Sequence, residues 1–395
     1  MADSKALDAA VEKVDLVISL IPYIHHATVI KSAIRKKKNV VTTSYVSPSM
    51  LELEKDVKEA GITVMNEIGL DPGIDHLYAV KTIEEVHRAG GKITSFLSYC
   101  GGLPAPEASD NPLGYKFSWS SRGVLLALRN NAKYYKDGKL EEVSGVQLMG
   151  TAKPYFIYPG FAFVAYPNRD STPYRERYHI PEAQTLIRGT LRYQGFPEFI
   201  RTLVDMGFLS EEQKDFLQPR DQPPSWAEAT RQVLQASSAK ESDLTWAISS
   251  KTKFSDTAEK YRIIGGLRWI GLFSDEPIVP RGTPLDTLCA SLEKKMQYEE
   301  GERDMVLLQH KFGIEHADGK TETRTSTLCD YGDPKGFSAM ARLVGVPCGV
   351  ACLMVLDGRI SEKGILAPVT WKLAEPLLKE LKDKWDIEMV EKTVA

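Results

Sequence analysis

The sequence predicts an α/β protein: a Rossmann-like, doubly wound parallel sheet, then a mixed α/β region and a helical region. Three observations carry this. Short apolar strands alternate with amphipathic helices over residues 1–69. Strands separated by long loops fill residues 92–195, and residues 196–300 are mostly helical and polar-faced. At 395 residues the chain also exceeds the roughly 250–300 at which one core stops growing, so more than one domain is expected.

The elements follow in order. "DSKALDAAVEKV" reads as a helix leading into a strand that begins near Val14. "VDLVISLIP" is a continuous apolar run stopped by Pro22, as expected of a strand buried on both faces. Residues 25–36 put Val29, Ile30, Ala33 and Ile34 on one helical stripe, and "KNVVTTSYV" is the next strand. "SPSMLELEKDVKEAG" reads as one helix ending at Gly61 with Lys58 in its last turn, and "ITVMNEIG" is the third strand. Strands this short, separated by helices, point to a parallel sheet. A dinucleotide fold opens on a G-x-G-x-x-G turn, whose glycines let the backbone approach a pyrophosphate at a helix N-terminus. That first unit is expected to lie before Met1, and the Gly pairs at 90–91, 101–102 and 265–266 do not replace it.

"KITSFLSYCGGLPAPE", "YKFSWSSRGVLLALRN", "PYFIYPGFAFVAYPNRD" and "IRGTLRYQGF" read as strands and loops. Residues 304–330 read as a hairpin turning at Asp318 and Gly319. The helix "GFSAMARLVGVPCGVACLMVLDG" and the tail "PLLKELKDKWDIEMVEKTV" close the chain.

Lys and Arg total 50 against 53 Asp and Glu, a formal charge of −3 that gives no long-range pull toward nucleic acid or anionic membrane. The five cysteines, Cys100, Cys289, Cys329, Cys348 and Cys352, form no C-x-x-C pair and read as reduced thiols. No apolar run reaches the ~18 residues of a membrane span, and the N-terminus lacks the pattern of a signal peptide. A soluble, cytoplasmic protein is expected.

Residues 66–78, "NEIGLDPGIDHLY", concentrate the candidate chemistry. Asp71 before Pro72 reads as a helix N-cap with proline at the first helical position. It also stands at a strand end, where α/β folds place ligands. Thr43, Ser44 and Tyr45 end the preceding strand as β-prone sequence running into a turn. Cys100 precedes Gly101 and Gly102, at a strand end that backbone and ligand can both approach, while the other four cysteines read as small core residues. His25, His26 and His76 lack partners at ligand spacing, so no metal is expected.

The stretches "TTSY", "GLDPGIDH", "LSYCGGLPAPE", "NPLGYKFSWSSRG", "YPNRDSTPY" and "RGTLRYQGFP" together closely resemble the fungal-type, NADP-dependent, L-glutamate-forming saccharopine dehydrogenase family, across essentially the whole chain. The resemblance implies a variant Rossmann domain, a mixed α/β substrate and dimerisation domain, and a helical domain. It divides the chain into 1–72, the remainder of the NADP-binding domain; 73–195, substrate binding; 196–300, helical; 301–340, return strands; and 341–395, packing back on the Rossmann domain. The implied reaction condenses 2-aminoadipate 6-semialdehyde with L-glutamate and reduces the imine with NADPH to L-saccharopine, in lysine biosynthesis, by a homodimer. The family's phosphate-binding turn and 2′-phosphate loop would both lie before Met1.

By the same resemblance Asp71 contacts cofactor and saccharopine, while Leu70 and Pro72 lie along the nicotinamide. Thr43 and Ser44 touch the dinucleotide, Ile21 packs near its adenosine or ribose, and Ser120 is a further cofactor contact. Ser44 and Tyr45 touch the substrate. Arg169 and the run Thr190, Leu191, Arg192 read its carboxylates, which a planar guanidinium matches bidentately. Tyr45, Asp71 and Cys100 form a catalytic ring that positions the imine and relays protons, with the donor left open. Two other readings stand beside this one: an inactive remnant that binds substrate or a partner, and a polyamine carbon–nitrogen oxidoreductase.

Overall fold

Four parallel strands, Leu16–Ile18, Asn39–Val41, Thr63–Met65 and Gly364–Leu366, lie in that order in the smaller of two sheets in the computed structural model, which describes residues 4–394. Each N-terminal strand is shorter than its apolar run, because it ends where buried polar residues begin. The N–H groups of Ser19, Thr42 and Asn66 still pair with the neighbouring strand, at 2.8 Å, 2.9 Å and 2.8 Å. The C-terminal edge of the sheet therefore carries a row of polar groups.

Side-chain alternation gives the two faces different neighbours. Val40 and Val64 pack with Ile30 and Ala33 of the helix His26–Lys36 and with Val57 of the helix Glu54–Ala60. Val41 and Met65 share a cluster with Leu343 and Cys348 of the helix Ala339–Leu356. The single helix expected over "SPSMLELEKDVKEAG" divides instead. Ser47 caps Pro48–Leu51 by accepting from the Met50 N–H, and Glu54–Ala60 ends at Gly61 with φ 69°. The helix Ala339–Leu356 runs for 18 residues and is apolar enough to cross a membrane by length and composition. That corrects the reading that no run reaches this length; half of the helix is buried in the core.

The larger sheet has nine strands among the described residues. Its path runs Val390–Thr393, Thr321–Tyr331, Asp304–Glu315, Lys92–Pro104, Thr185–Tyr193, Ala132–Lys136, Lys139–Val143, with Lys153–Pro154 and Phe163–Pro167 attached beside Thr185–Tyr193. Lys92–Pro104 and Thr185–Tyr193 are parallel and the other pairs antiparallel, so the sheet is mixed. The hairpin expected near Asp318 and Gly319 is present, with Gly319 at φ 83°. "YKFSWSSRGVLLALRN", read as strand, holds the helix Ser121–Ala127 instead, because Ser120 caps it. The hairpin Ala132–Val143 was not anticipated, although Asp137 and Gly138 turn it with φ 49° and 77°, a Asp-Gly hairpin signal.

One face of this sheet, with Tyr99, Leu103 and Leu191, packs on the helices between Phe196 and Lys295 in one continuous core. The opposite face, with Phe96, Val306, Leu308 and Phe312, packs on the helix Ile74–Arg88 and its neighbour Trp371–Trp385. The helix Ile74–Arg88 thus starts beside the polar edge of the small sheet and runs under the large one.

Candidate active site

The turn that leaves the small sheet closes on itself. Gly69 N–H donates to the Pro72 carbonyl at 2.9 Å, Ile74 N–H to the Gly69 carbonyl at 2.9 Å, and Asp75 N–H to the Leu70 carbonyl at 3.1 Å. The Asp71–Pro72 peptide is cis. Gly73 sits at φ 148°, and a Cβ there would lie 1.9 Å from the Gly69 carbonyl oxygen, so only glycine closes this turn. The N-cap expected of Asp71 is not found. The helix begins at Ile74, and the Asp75 carboxylate takes the Gly73 N–H at 2.6 Å. Folding back at Pro72 and Gly73 leaves the Asp71 carboxylate free to meet side chains from both sheets.

There Asp71 Oδ1 accepts the Tyr45 hydroxyl at 2.6 Å and Arg188 Nη2 at 2.7 Å. The same Nη2 donates to Asp75 Oδ2 at 2.5 Å and lies 3.1 Å from the Tyr45 hydroxyl. Asp75 is 1% exposed, and the Arg188 guanidinium stacks on Tyr174 at 4.1 Å. Burial pushes the Tyr45 phenol well above its usual range, against the pull of Arg188. Burial likewise pushes the Cys100 thiol far up. Both groups therefore hold their protons at neutral pH.

Cys100 pairs in register with Thr190 on the adjacent strand, and alternation puts Arg188, Thr190 and Arg192 on one face. Thr190 Oγ1 accepts from Asn168 Nδ2 at 3.0 Å. Leu191 points the other way and its side chain is fully buried in the sheet–helix core. Arg192 is 7% exposed, stacked on Tyr115 at 4.8 Å and Phe196 at 5.3 Å. Its Nη1 donates to the Leu191 carbonyl at 2.7 Å, its Nε has no partner, and no carboxylate pairs with it among the described residues. Arg169 is exposed and lies over the Tyr45 ring at 4.9 Å.

On the small-sheet side, Ser44 Oγ is 2.9 Å from His26 Nε2, and His26 Nδ1 is 2.7 Å from Ser19 Oγ. Burial, helped by His25, lowers the His26 pKa, so a neutral ring links the two hydroxyls. Thr43 packs on Gly69, whose missing Cβ would lie 3.3 Å from Thr43 Cβ. Leu70 and Pro72 are buried in the turn and Ile21 is half-buried past Ser19. Ser120 lies on the surface, its hydroxyl accepting the Gly123 N–H at 3.1 Å.

Reasoning from residues missed two groups here. Asp75 and Arg188 are the first, and the usable signal was the alternation of Arg188, Thr190 and Arg192 in an otherwise apolar strand. The second is the buried set around Glu67. Its Oε2 lies 2.8 Å from His76 Nε2 and accepts Arg177 Nη2 at 2.7 Å, while Oε1 accepts the Val46 N–H at 2.9 Å. His76 Nδ1 is 2.5 Å from the Tyr178 hydroxyl. Burial works to raise the Glu67 pKa, but His76 and then Arg177 outweigh it and hold it at about 2. Glu67 thereby ties the loop carrying Ser44 and Tyr45 to the large-sheet side.

A parallel sheet with a polar C-terminal edge, beside a mixed sheet that presents two buried arginines, defines an α/β protein of the dinucleotide-binding class with a site suited to anions. Comparison with known proteins narrows the class. Residues 1–65 match the saccharopine dehydrogenase NADP binding domain and residues 69–387 the saccharopine dehydrogenase C-terminal domain. The chain belongs to the saccharopine dehydrogenase family. It is 69% identical to the saccharopine dehydrogenase [NADP(+), L-glutamate-forming] of Pyricularia oryzae, over 100% of this chain and 87% of that one. Identity to the Saccharomyces cerevisiae protein of the same name is 64%, over 100% and 88%. The bovine mitochondrial alpha-aminoadipic semialdehyde synthase is 43% identical, over 95% of this chain and 40% of its own length. The solved apo saccharopine dehydrogenase (L-Glu forming) from Saccharomyces cerevisiae superposes with a TM-score of 0.91, covering 100% of this chain and 88% of that one. A homospermidine synthase from Legionella pneumophila, 8% identical with a TM-score of 0.51 over 99% of this chain and 79% of that one, shares the fold alone.

Proposed function

We propose that this chain is an NADP-dependent, L-glutamate-forming saccharopine dehydrogenase. It reduces the imine of 2-aminoadipate 6-semialdehyde and L-glutamate to L-saccharopine, and runs the reverse reaction, in lysine biosynthesis. The observation that carries the reading is Arg192, a buried guanidinium without a counter-ion among the described residues. Leaving a charge buried and unpaired costs several kcal/mol, which a carboxylate ligand offsets. Saccharopine has three carboxylates; a polyamine would instead bring positive charge to Arg192 and Arg188.

The Thr43 and Ser44 hydroxyls fit NADP by their chemistry, with the apolar Leu70, Pro72 and Ile21 packing beside it. Hydroxyls and main-chain groups at strand ends suit ribose and carboxamide. When bound, the cofactor supplies or takes the hydride. The chain's part is orientation and proton handling. Tyr45, kept protonated by its burial, and Asp71, its acceptor, hold the proton that the substrate nitrogen gains or returns. The neutral Cys100 thiol lines the cleft without forming a bond to substrate. Ser44, Thr190 and the Leu191 main chain flank the substrate, and Arg169 meets a second carboxylate at the cleft mouth. Ser120 is a further proposed cofactor contact. We also propose a homodimer in the cytoplasm; the five free cysteines fit a reducing compartment.

Calorimetric titration of the NADP⁺-saturated protein tests the reading. Binding of L-saccharopine but not spermidine is expected; binding of spermidine alone would overturn it.

A further inference from the structure

We infer that Arg188 and Asp75 are positioning residues whose buried ion pair fixes Asp71 and Tyr45 in the geometry that turnover needs. The inference rests on the dehydrogenase reading above. Four separate elements meet at one guanidinium nitrogen. Tyr45 comes from the loop after Asn39–Val41, Asp71 from the turn after Thr63–Met65, Asp75 from the first turn of Ile74–Arg88, and Arg188 from Thr185–Tyr193. Nη2 lies 2.7 Å from Asp71 Oδ1, 2.5 Å from Asp75 Oδ2 and 3.1 Å from the Tyr45 hydroxyl.

A count of protons sets the direction of these bonds. Nη2 carries two hydrogens, and the two carboxylates take them. The Tyr45 hydroxyl accepts a longer, shared contact from the same nitrogen at 3.1 Å and, because a carboxylate oxygen only accepts, donates its own proton to Asp71 Oδ1 at 2.6 Å. Arg188 thereby holds in place both the Tyr45 hydroxyl and the carboxylate that takes its proton.

Asp75 is in turn immobilised. Its Oδ1 accepts the Gly73 N–H at 2.6 Å, and its carbonyl accepts His310 Nε2–H at 3.0 Å. Burial lowers the His310 pKa to about 3, so that ring stays neutral and leaves the charge balance to the triad. On the other side the Arg188 main-chain N–H donates to Ser171 Oγ at 2.9 Å, and Tyr174 packs against its guanidinium. A reference fixed at both ends reaches across the junction of the two sheets. Arg188 already has two carboxylates, whereas Arg192 has none among the described residues, so the two arginines on one strand face divide the labour: Arg192 binds and Arg188 positions.

Steady-state kinetics with L-saccharopine, together with calorimetric saccharopine binding, separates the roles. Arg188→Lys keeps the charge but lacks the planar guanidinium that stacks on Tyr174 at 4.1 Å, so it holds its nitrogen less rigidly between the two carboxylates. Its kcat should fall on the order of 10²-fold, as expected of a small misplacement of reacting groups. KM and the binding constant for saccharopine should stay within about threefold. Asp75→Asn, of the same volume and still able to accept the Gly73 N–H, should show the same split, and the double variant should be no worse than the poorer single one. A rise in KM with kcat unchanged would make Arg188 a substrate reader and overturn the inference. So would fully multiplicative effects, wild-type kinetics, or loss of the folded protein in both variants, which would make the pair purely structural. If Arg188→Lys alone fails to fold, Asp75→Asn carries the test. Absence of turnover by the unaltered chain removes the dehydrogenase reading itself; turnover unaffected by these variants removes only this inference.

Discussion

The Tyr45 hydroxyl stands 2.6 Å from Asp71 Oδ1 and joins a loop of the small sheet to the turn that enters the large one. The contact spans the junction where cofactor and substrate would meet. Its removal should be felt in turnover more than in folding. In Tyr45→Phe the ring remains for Arg169 to stack on, and one hydrogen bond is worth roughly 1 kcal/mol to stability. We expect kcat to fall about 10²-fold, with KM for saccharopine little changed and thermal unfolding within a few degrees of wild type. Steady-state rates beside a melting curve check this.

Arg192→Met should separate binding from stability in opposite directions. Losing a buried charge-assisted contact to a carboxylate costs at least about 2 kcal/mol of binding, so KM for saccharopine should rise about 30-fold or more. The free protein loses an unpaired buried charge and keeps apolar volume between Tyr115 and Phe196, so Tm should hold or rise. A lower Tm with unchanged KM would assign Arg192 to the core alone.

Gly73→Ala should be poorly tolerated. At φ 148° the added Cβ collides with the Gly69 carbonyl oxygen, and the turn that presents Asp71 cannot close. Backbone strain of this kind costs about 1–3 kcal/mol even before the collision. Urea unfolding should shift to lower denaturant, and the soluble fraction should lose activity in step.

Glu67 makes stability sensitive to acid. Its folded pKa of about 2 lies below the ordinary 4.5, so its contribution is fully present above about 4.5 and is lost as pH falls from there toward about 2. Wild type should therefore lose Tm over that window. Glu67→Gln should be less stable at neutral pH and show a shallower decline, read by melting curves across pH. A parallel decline in both proteins would remove Glu67 from the account.

Cys100 should be inert. Burial raises its thiol pKa, so at neutral pH iodoacetamide should label it far more slowly than a small free thiol. Cys100→Ser should keep turnover within about tenfold, because no covalent step uses the sulfur. Rapid labelling with matching loss of activity would contradict this.

The strand and helix alternation of the N-terminal region was legible because apolar runs stop at Pro22 and Gly61. Strand ends were not, since a ladder continues in its backbone while side chains turn polar at Ser19, Thr42 and Asn66. Asp71 could be placed at the candidate site, beside Tyr45, by its strand-end position. Its cap role was misread because an Asp-Pro step before an apolar pattern looks the same whether the chain runs into a helix or folds back at Gly73. Arg188 lies 117 residues from Asp71 and 113 from Asp75, too far for any local pattern to join them. In sequence, Asp75 looks like an ordinary acidic residue in a first helical turn. Arg192 was offered as a carboxylate reader only through the family resemblance; its lack of a counter-ion among the described residues is a property of the folded chain.

The most direct test of the central claim is oxidation of L-saccharopine by the purified protein with NADP⁺, following reduced nicotinamide and released glutamate together. Both should appear in equal amounts, with spermidine giving neither. Failure to form reduced nicotinamide from saccharopine, or its formation from spermidine instead, would contradict the assignment.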